Sequence, residues 1–227
     1  MNKQKRIFSR RQMLGMMIGT SGFAFGGTGM SVFAQEAKRL FTPTLSLGPF
    51  YPQLKPLDTD ADLTLLAGNK ERATGKIVHL TGRILNLKGE PVSGAKVEIW
   101  QANSHGKYSH PSDANSAPDD KNFQGFGVQT TDAEGRYRFK TIKPGAYPGG
   151  PISGMRTPHI HFDVMGKYDR VITQVFFPDE PLNKQDKILQ SLKSPYQETV
   201  IMKLLPPTKE LEADSILGVW DLVLRKG

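Results

Sequence analysis

A succession of short segments rich in β-branched and aromatic residues, each bounded by turn residues, constrains this chain more than any other feature. Such segments occupy 77–85, 95–101, 127–131, 137–142, 159–165, 171–177, 199–204 and 219–224. Lys88-Gly89-Glu90 and Asp132-Ala-Glu-Gly135 are typical of the breaks between them, joining residues that accept turn dihedrals to exposed charge. A helical period of apolar residues occurs only over 183–192, where Ile188, Leu189 and Leu192 share a side. Strands of this length and spacing pack as an all-β antiparallel sandwich, here with long loops and one short accessory helix.

The N-terminus has a separate logic. Lys3, Lys5 and Arg6 precede Ser9-Arg10-Arg11-Gln-Met-Leu14, and an apolar, glycine-studded stretch follows to Phe33-Ala34. Basic region, apolar region and small-residue site in that order make residues 1–34 a twin-arginine export signal, cleaved after Ala34. Gly15, Gly19, Gly22, Gly26 and Gly27 break the apolar part too often for a membrane span, and a retained anchor is the second reading. The expected destination is periplasmic or secreted, with membrane contact only through the signal. Residues 35–76 read as an irregular arm, because 41–52 is rich in turn residues without a helical period. Residues 77–227 then form the sandwich.

The formal charge of +8 owes much to that signal, which carries five basic residues and no acidic one. The remaining 25 basic and 22 acidic residues leave only +3. Without a basic stripe interleaved with aromatics there is no footprint for nucleic acid, so the expected partners are small molecules. The chain has no cysteine, which excludes thiolate ligands and thiol nucleophiles and leaves stability to the apolar core.

Two long connections, 102–126 and 143–158, interrupt the strand pattern, and loops on a rigid scaffold are where chemistry collects. The first follows Trp100 and carries Gly106-Lys-Tyr108; the second carries Tyr147-Pro148 and reaches Arg156. Immediately after it, Arg156-Thr-Pro-His-Ile-His-Phe162 opens a strand. Side chains alternate along a strand, so His159 and His161 project to one face and can converge on one metal ion. A site that joined them to Tyr108 and Tyr147 would offer two imidazoles and two phenolates. A phenol ionises near pH ~10 in water, but a bound cation strongly favours the phenolate. Two tyrosinates point to Fe(III), whereas two histidines with one carboxylate suit Fe(II) oxygenases.

At this level of detail the chain resembles a known family, the intradiol ring-cleavage dioxygenases, and within it the protocatechuate 3,4-dioxygenase beta type. The marks are Gly48-Pro-Phe-Tyr-Pro52, Val97-Glu-Ile-Trp-Gln-Ala-Asn103, Gly106-Lys-Tyr108, Asn122-Phe-Gln-Gly125, Thr131-Asp-Ala-Glu-Gly-Arg-Tyr137, Thr141-Ile-Lys-Pro-Gly145, Tyr147-Pro148, Arg156-Thr-Pro-His-Ile-His-Phe162 and Thr173-Gln-Val-Phe-Phe177. They span roughly 42–180 in family order. The resemblance implies an Fe(3+) cofactor ligated by Tyr108, Tyr147, His159 and His161, a catecholic substrate and O2, and ring opening between the hydroxylated carbons to a cis,cis-muconate. Tyr147 would act as ligand and base in turn. Arg156 matches the family's arginine over the substrate ring, where it stabilises developing negative charge, and Gln174 matches a pocket glutamine. Trp100 and Tyr51 fit equally well as cavity walls or as packed core aromatics.

Other groups are read blandly: His79, His105 and His110 as surface or satisfied core histidines, Tyr137 as core, and Tyr168 and Tyr196 as outside the site. The chain also departs from its relatives. Pro148 is followed by Gly149-Gly150 where protocatechuate enzymes carry a tryptophan, and Lys107 stands where arginine is common. A complete ligand set in one chain is compatible with a homo-oligomer or with a hetero-oligomer containing an alpha-type chain. The contrasting expectation is an exported, non-catalytic module binding carbohydrate, protein or metal, since Glu90-Pro-Val-Ser-Gly-Ala95 is the turn of prealbumin-like Greek-key sandwiches and fold alone does not fix function.

Overall fold

The run IVHLTGRIL becomes β1 (Ile77–Leu85), the longest strand among the described residues and the spine of the first of two main sheets. The computed structural model describes residues 39–226, so the signal expected over 1–34 lies outside the described residues. After β1 come β2 (Lys96–Trp100), β3 (Phe126–Thr130), β4 (Arg136–Ile142), β5 (Tyr147–Pro148), β6 (Met155–Arg156), β7 (His159–Met165), β8 (Arg170–Phe176), β9 (Lys203–Leu205), β10 (Ile216–Val219) and β11 (Leu222–Val223). Two four-residue helices accompany them, α1 (Gly150–Ser153) and α2 (Lys187–Gln190). The first sheet is built on β1, with β4 on one side and β10 and β11 on the other; the second runs β3-β2-β7-β8.

The two sheets enclose one apolar core. Alternation sends Val97, Ile99, Ile160, Phe162, Val164 and Val175 inward from the second sheet, against Val78, Leu80, Ile84, Tyr137 and Phe139 of the first. Tyr137 keeps its hydroxyl satisfied inside this layer by donating to the Trp220 carbonyl at 2.7 Å.

The all-β sandwich is as expected, and four details differ. The sandwich is not wholly antiparallel: β10 and β11 both pair parallel to β1. Residues 219–224, expected as one strand, instead straddle the gap between them at Trp220-Asp221. The Trp220 carbonyl presses so closely on Gly82 that a Cβ there would stand 1.7 Å away, so the chain steps past that point and resumes pairing beyond it. The 199–204 segment begins with a 3-10 turn at Glu198–Val200 and becomes a strand only at β9. The helix expected over 183–192 is likewise split, into a 3-10 turn at Pro181–Lys184 and the separate α2, because Asp186 between them is extended and caps the second piece with its side chain.

Residues 39–76 contain no strand or helix and lie along the sheet edges. Leu45 donates its N–H to Ile172 of edge strand β8, Thr59 accepts from Val128 of edge strand β3, and Ala61 and Leu63 bracket Lys140 of β4. The arm thus satisfies ladder groups that an open edge would leave free. Among the described residues no helix is long and apolar enough to cross a membrane.

Candidate metal centre and active site

β7 is buried along both faces until its last residue. Its inward face joins the core; its outward face presents His159, His161 and Asp163. His161 lies between Trp100 on β2 and Gln174 on β8 in the ladder, and the Trp100 ring stacks on it at 4.7 Å and 12°. His159 holds Nδ1 2.6 Å from the Thr157 carbonyl. A carbonyl only accepts, so Nδ1 carries the hydrogen and the Nε2 lone pair faces away from the sheet, as in a metal-ligating histidine. Burial lowers the proton affinity of both imidazoles, reinforced for His159 by the Arg156 charge and for His161 by His159 and Arg156. Both are therefore neutral, and the two Nε2 atoms stand 3.2 Å apart.

The tyrosines reach this pair because their loops dock backbone to backbone. Gly106, at φ +81°, sits where a Cβ would lie 2.2 Å from the Ala146 carbonyl, so only glycine admits the contact. Gly145 donates to the Asn103 carbonyl at 2.9 Å, closing the same junction. Beyond Gly106 the Asp113 carboxylate accepts the Tyr108 N–H at 2.7 Å, and Lys107 donates to the carbonyls of Asp113 and Asn115. Tyr147 is fixed differently: β5 pairs with β6 so that Tyr147 faces Arg156 across a two-residue ribbon. From the arm, Gly48 at φ +75° lies against the His161 ring, and a Cβ there would stand 3.2 Å from His161 Cε1.

Four donor atoms consequently form a chain: Tyr108 Oη to Tyr147 Oη 3.5 Å, Tyr147 Oη to His159 Nε2 3.4 Å, and His159 Nε2 to His161 Nε2 3.2 Å. Ligands about 2.0–2.1 Å from a common ion and about 90–120° apart are separated by about 2.9–3.6 Å, so these residues fit a single cation. Burial raises the proton affinity of both phenols, for Tyr147 against an opposing pull from Arg156. A multivalent ion would reverse that preference, since its charge acts at close range in a dry pocket. Among the described residues no three His, Cys, Asp or Glu side chains form an alternative metal cluster.

Beside the donors opens a cavity of about 420 Å³. Tyr147 and Arg156 lie on its wall with Pro49, Phe50, Gly149, Gly150 and Ile188. The Arg156 guanidinium, buried, bonds Asp186 through Nε at 2.9 Å and Gln174 through Nη2 at 2.5 Å, while Nη1 lies 3.5 Å from Tyr147 Oη. Gln174 in turn donates to the Ser46 carbonyl of the arm. All six residues expected from the sequence to act in metal binding or catalysis are thus within one contiguous cluster.

Trp100 and Tyr51 are elsewhere than on the cavity wall. Trp100 is a buried packing partner of His161. Tyr51 packs edge-on against Trp100 and turns its hydroxyl to Glu98 at 2.8 Å; burial and that carboxylate push its pKa up to about 12. His79 is satisfied by Glu212. Sequence reasoning missed Asp186 and Asp113, the carboxylates behind Arg156 and Tyr108. Asp186 ahead of an apolar turn carries a helix-cap signal, but nothing in its spacing announces the arginine 30 positions earlier.

The comparisons agree with this geometry. A family described as "Dioxygenase" matches residues 47–226, so the match begins inside the arm and runs through the whole sandwich. The protocatechuate 3,4-dioxygenase beta chain of Burkholderia cepacia is 43% identical over 175 residues, covering 76% of this chain and 73% of that one. The hydroxyquinol 1,2-dioxygenase of Rhizobium sp. (strain MTP-10005) is 31% identical over 168 residues, and there the chain spans about half the relative's length, 54%. Among solved structures, the dioxygenase domain of a dioxygenase carbohydrate-binding protein fusion from Streptomyces sp. SirexAA-E superposes with a TM-score of 0.61 at 25% identity, covering 82% of this chain and 99% of that one. With family, sequence and fold in agreement, the chain belongs to the intradiol ring-cleavage dioxygenases.

Proposed function

We propose that the protein is a non-haem Fe(III) enzyme that opens a catechol-type ring between its two hydroxylated carbons with O2, giving a cis,cis-muconate-type product. The observation that carries this reading is the convergence of two phenols and two neutral imidazoles beside a cavity that also holds Arg156. Tyr108, Tyr147, His159 and His161 would hold the metal. Bound there, ferric iron would supply Lewis-acid polarisation of the chelated diol, making the ring reactive toward O2.

The chain's own residues do the rest. Tyr147 stands on the cavity wall, so its oxygen is the one placed to take a proton from an incoming catechol hydroxyl. Tyr108, His159 and His161 are off that wall and would keep the donor set fixed. Arg156 supplies a fixed positive charge beside the ring, in a site dry enough for that charge to stabilise developing negative charge strongly. All four donors come from one chain, so the donor set is complete in a homo-oligomer and equally in an assembly with an alpha-type chain.

Oxygen uptake with catechol, hydroxyquinol, protocatechuate and chlorinated catechols, with products identified by mass, tests the reading. Wild type should consume O2 and yield ring-opened diacids, while Tyr147→Phe and His161→Ala should not. Equal rates in all three would remove the assignment, and no uptake by wild type would favour the non-catalytic module. Export by the twin-arginine route is part of the same proposal, supported by Ser9-Arg10-Arg11 and the stretch to Ala34. Replacing Arg10 and Arg11 by Lys should retain the protein in the cytoplasm, and N-terminal sequencing of the exported form should begin after Ala34.

A further inference from the structure

Asp186 has no exposed surface, and each oxygen of its carboxylate is fully used. Oδ1 accepts from the N–H groups of Ile188 and Leu189 at 3.0 Å each, capping α2. Oδ2 accepts from Arg156 Nε at 2.9 Å and from the Thr157 N–H at 3.0 Å. The carbonyl of that same Thr157 orients His159. One carboxylate therefore reaches, in a single step or two, the cavity's guanidinium and a metal-facing imidazole.

Stability alone accounts poorly for this arrangement. Taking a carboxylate out of water is costly even after relaxation, a buried partner charge only roughly offsets that cost, and a helix cap adds little. What the pairing does secure is geometry. The guanidinium is a rigid plane, so holding Nε on Asp186 and Nη2 on Gln174 leaves Nη1 one direction in which to point, toward Tyr147 Oη at 3.5 Å.

We infer that Asp186 is a positioning residue for ring opening: it locks the Arg156 plane so that Nη1 is presented at the Tyr147 side of the cavity. The inference rests on the proposed dioxygenase activity, and two measurements separate the fates of the two ideas.

The first needs neither metal nor substrate. In metal-free protein labelled with nitrogen-15 at arginine, the Arg156 Nε–H signal, assigned by its loss in Arg156→Lys, should be slowly exchanging, and Asp186→Asn should speed its exchange at least tenfold. Unchanged exchange overturns the proposal. The second is a kinetic cycle. Asp186→Asn should lower kcat by about 10- to 100-fold, as for other outer partners of metal sites, with KM changed less than about threefold. In an Arg156→Met background the same substitution should cost less than about threefold. Equal losses in both backgrounds would show Asp186 acting on the fold rather than through Arg156, and would overturn the proposal. Should Asp186→Asn fail to fold, Asp186→Glu, which keeps the charge but displaces it by one methylene, should show the same non-additivity. A wild type silent toward every catechol, with the exchange contrast intact, would remove the dioxygenase reading and leave the clamp on Arg156 standing.

Discussion

The two faces of β7 are equally buried and chemically opposite. Ile160, Phe162 and Val164 point into the layer between the sheets, while His159, His161 and Asp163, one residue out of step, point away from it. The inward face is closed by another sheet, which can cover it only with apolar side chains. The outward face is closed by an irregular arm and two loops, whose backbone and polar groups can satisfy imidazoles and carboxylates. Burial alone thus says little about role; what does the burying decides whether a face becomes core or active site.

The largest contrast should come from emptying one position on each face. His161→Ala removes a donor whose ring is stacked on Trp100, so activity should fall by more than about 100-fold, beyond the usual cost of losing a mere outer partner of a metal. The fold should survive, with a thermal midpoint within a few degrees of wild type. Phe162→Ala deletes a fully buried ring packed against Tyr137 and Trp220, and should cost about 3–5 kcal/mol in urea unfolding. Activity per folded molecule should be nearly preserved. If His161→Ala unfolds the chain, or Phe162→Ala abolishes turnover in molecules that remain folded, the division of labour between faces is wrong.

The same division explains what could be read from the sequence. Strand β7 was legible to the residue, since a run of alternating polar and apolar side chains has one register that buries the apolar set. The four donors were legible because two lie on that strand, two are tyrosines of the long loops, and the motifs around them resemble a known family; the junction of Gly106 and Gly145 that docks the loops was not read. The parallel pairing of β10 and β11 was not, because strand direction depends on where the chain returns, not on the composition of the strand. The β5-β6 ribbon is too short to carry a period. Tyr51 was misleading for another reason: its motif places it near the site, but Glu98 at 2.8 Å and Lys55 draw its hydroxyl to the far side of Trp100.

The cavity on the outward face sharpens the comparison through substrate choice. Among the described residues its only basic side chain is Arg156, already committed to Asp186 and Gln174, and Asp113 adds a carboxylate to the wall. A carboxylate on the ring would find no free cation, while Gly149 and Gly150 leave room for a neutral substituent. Unsubstituted and neutral-substituted catechols should therefore exceed protocatechuate in kcat/KM by about tenfold or more, since leaving one charged group without its usual partner costs about 1.5–3 kcal/mol. Protocatechuate as the preferred substrate would mean that a cation outside this wall serves the pocket.

The smallest effect lies at the far end of the outward face, where Glu98 on β2 stands opposite Asp163 on β7. Two enclosed carboxylates side by side repel, and each is held by cations: Glu98 by Lys55 at 2.8 Å and Lys96 at 2.6 Å, Asp163 by Arg170 at 2.6 Å. Burial pushes the Glu98 pKa up, but hydrogen bonds from Lys55, Lys96 and Tyr51 more than offset it and bring the value down to about 2. A carboxylate depressed on folding stabilises the protein above its unfolded value near 4.5, and that contribution is lost as pH falls from there toward 2. Because both lysines are partly exposed and can be rehydrated, Glu98→Gln should cost only about 1 kcal/mol at pH 7. The gap between the two proteins in urea unfolding should close as pH falls from about 5 toward 2, since acid removes from wild type the charge the substitution has already removed. A gap that stayed constant would locate the loss in side-chain packing, making this end of the outward face behave like the inward one.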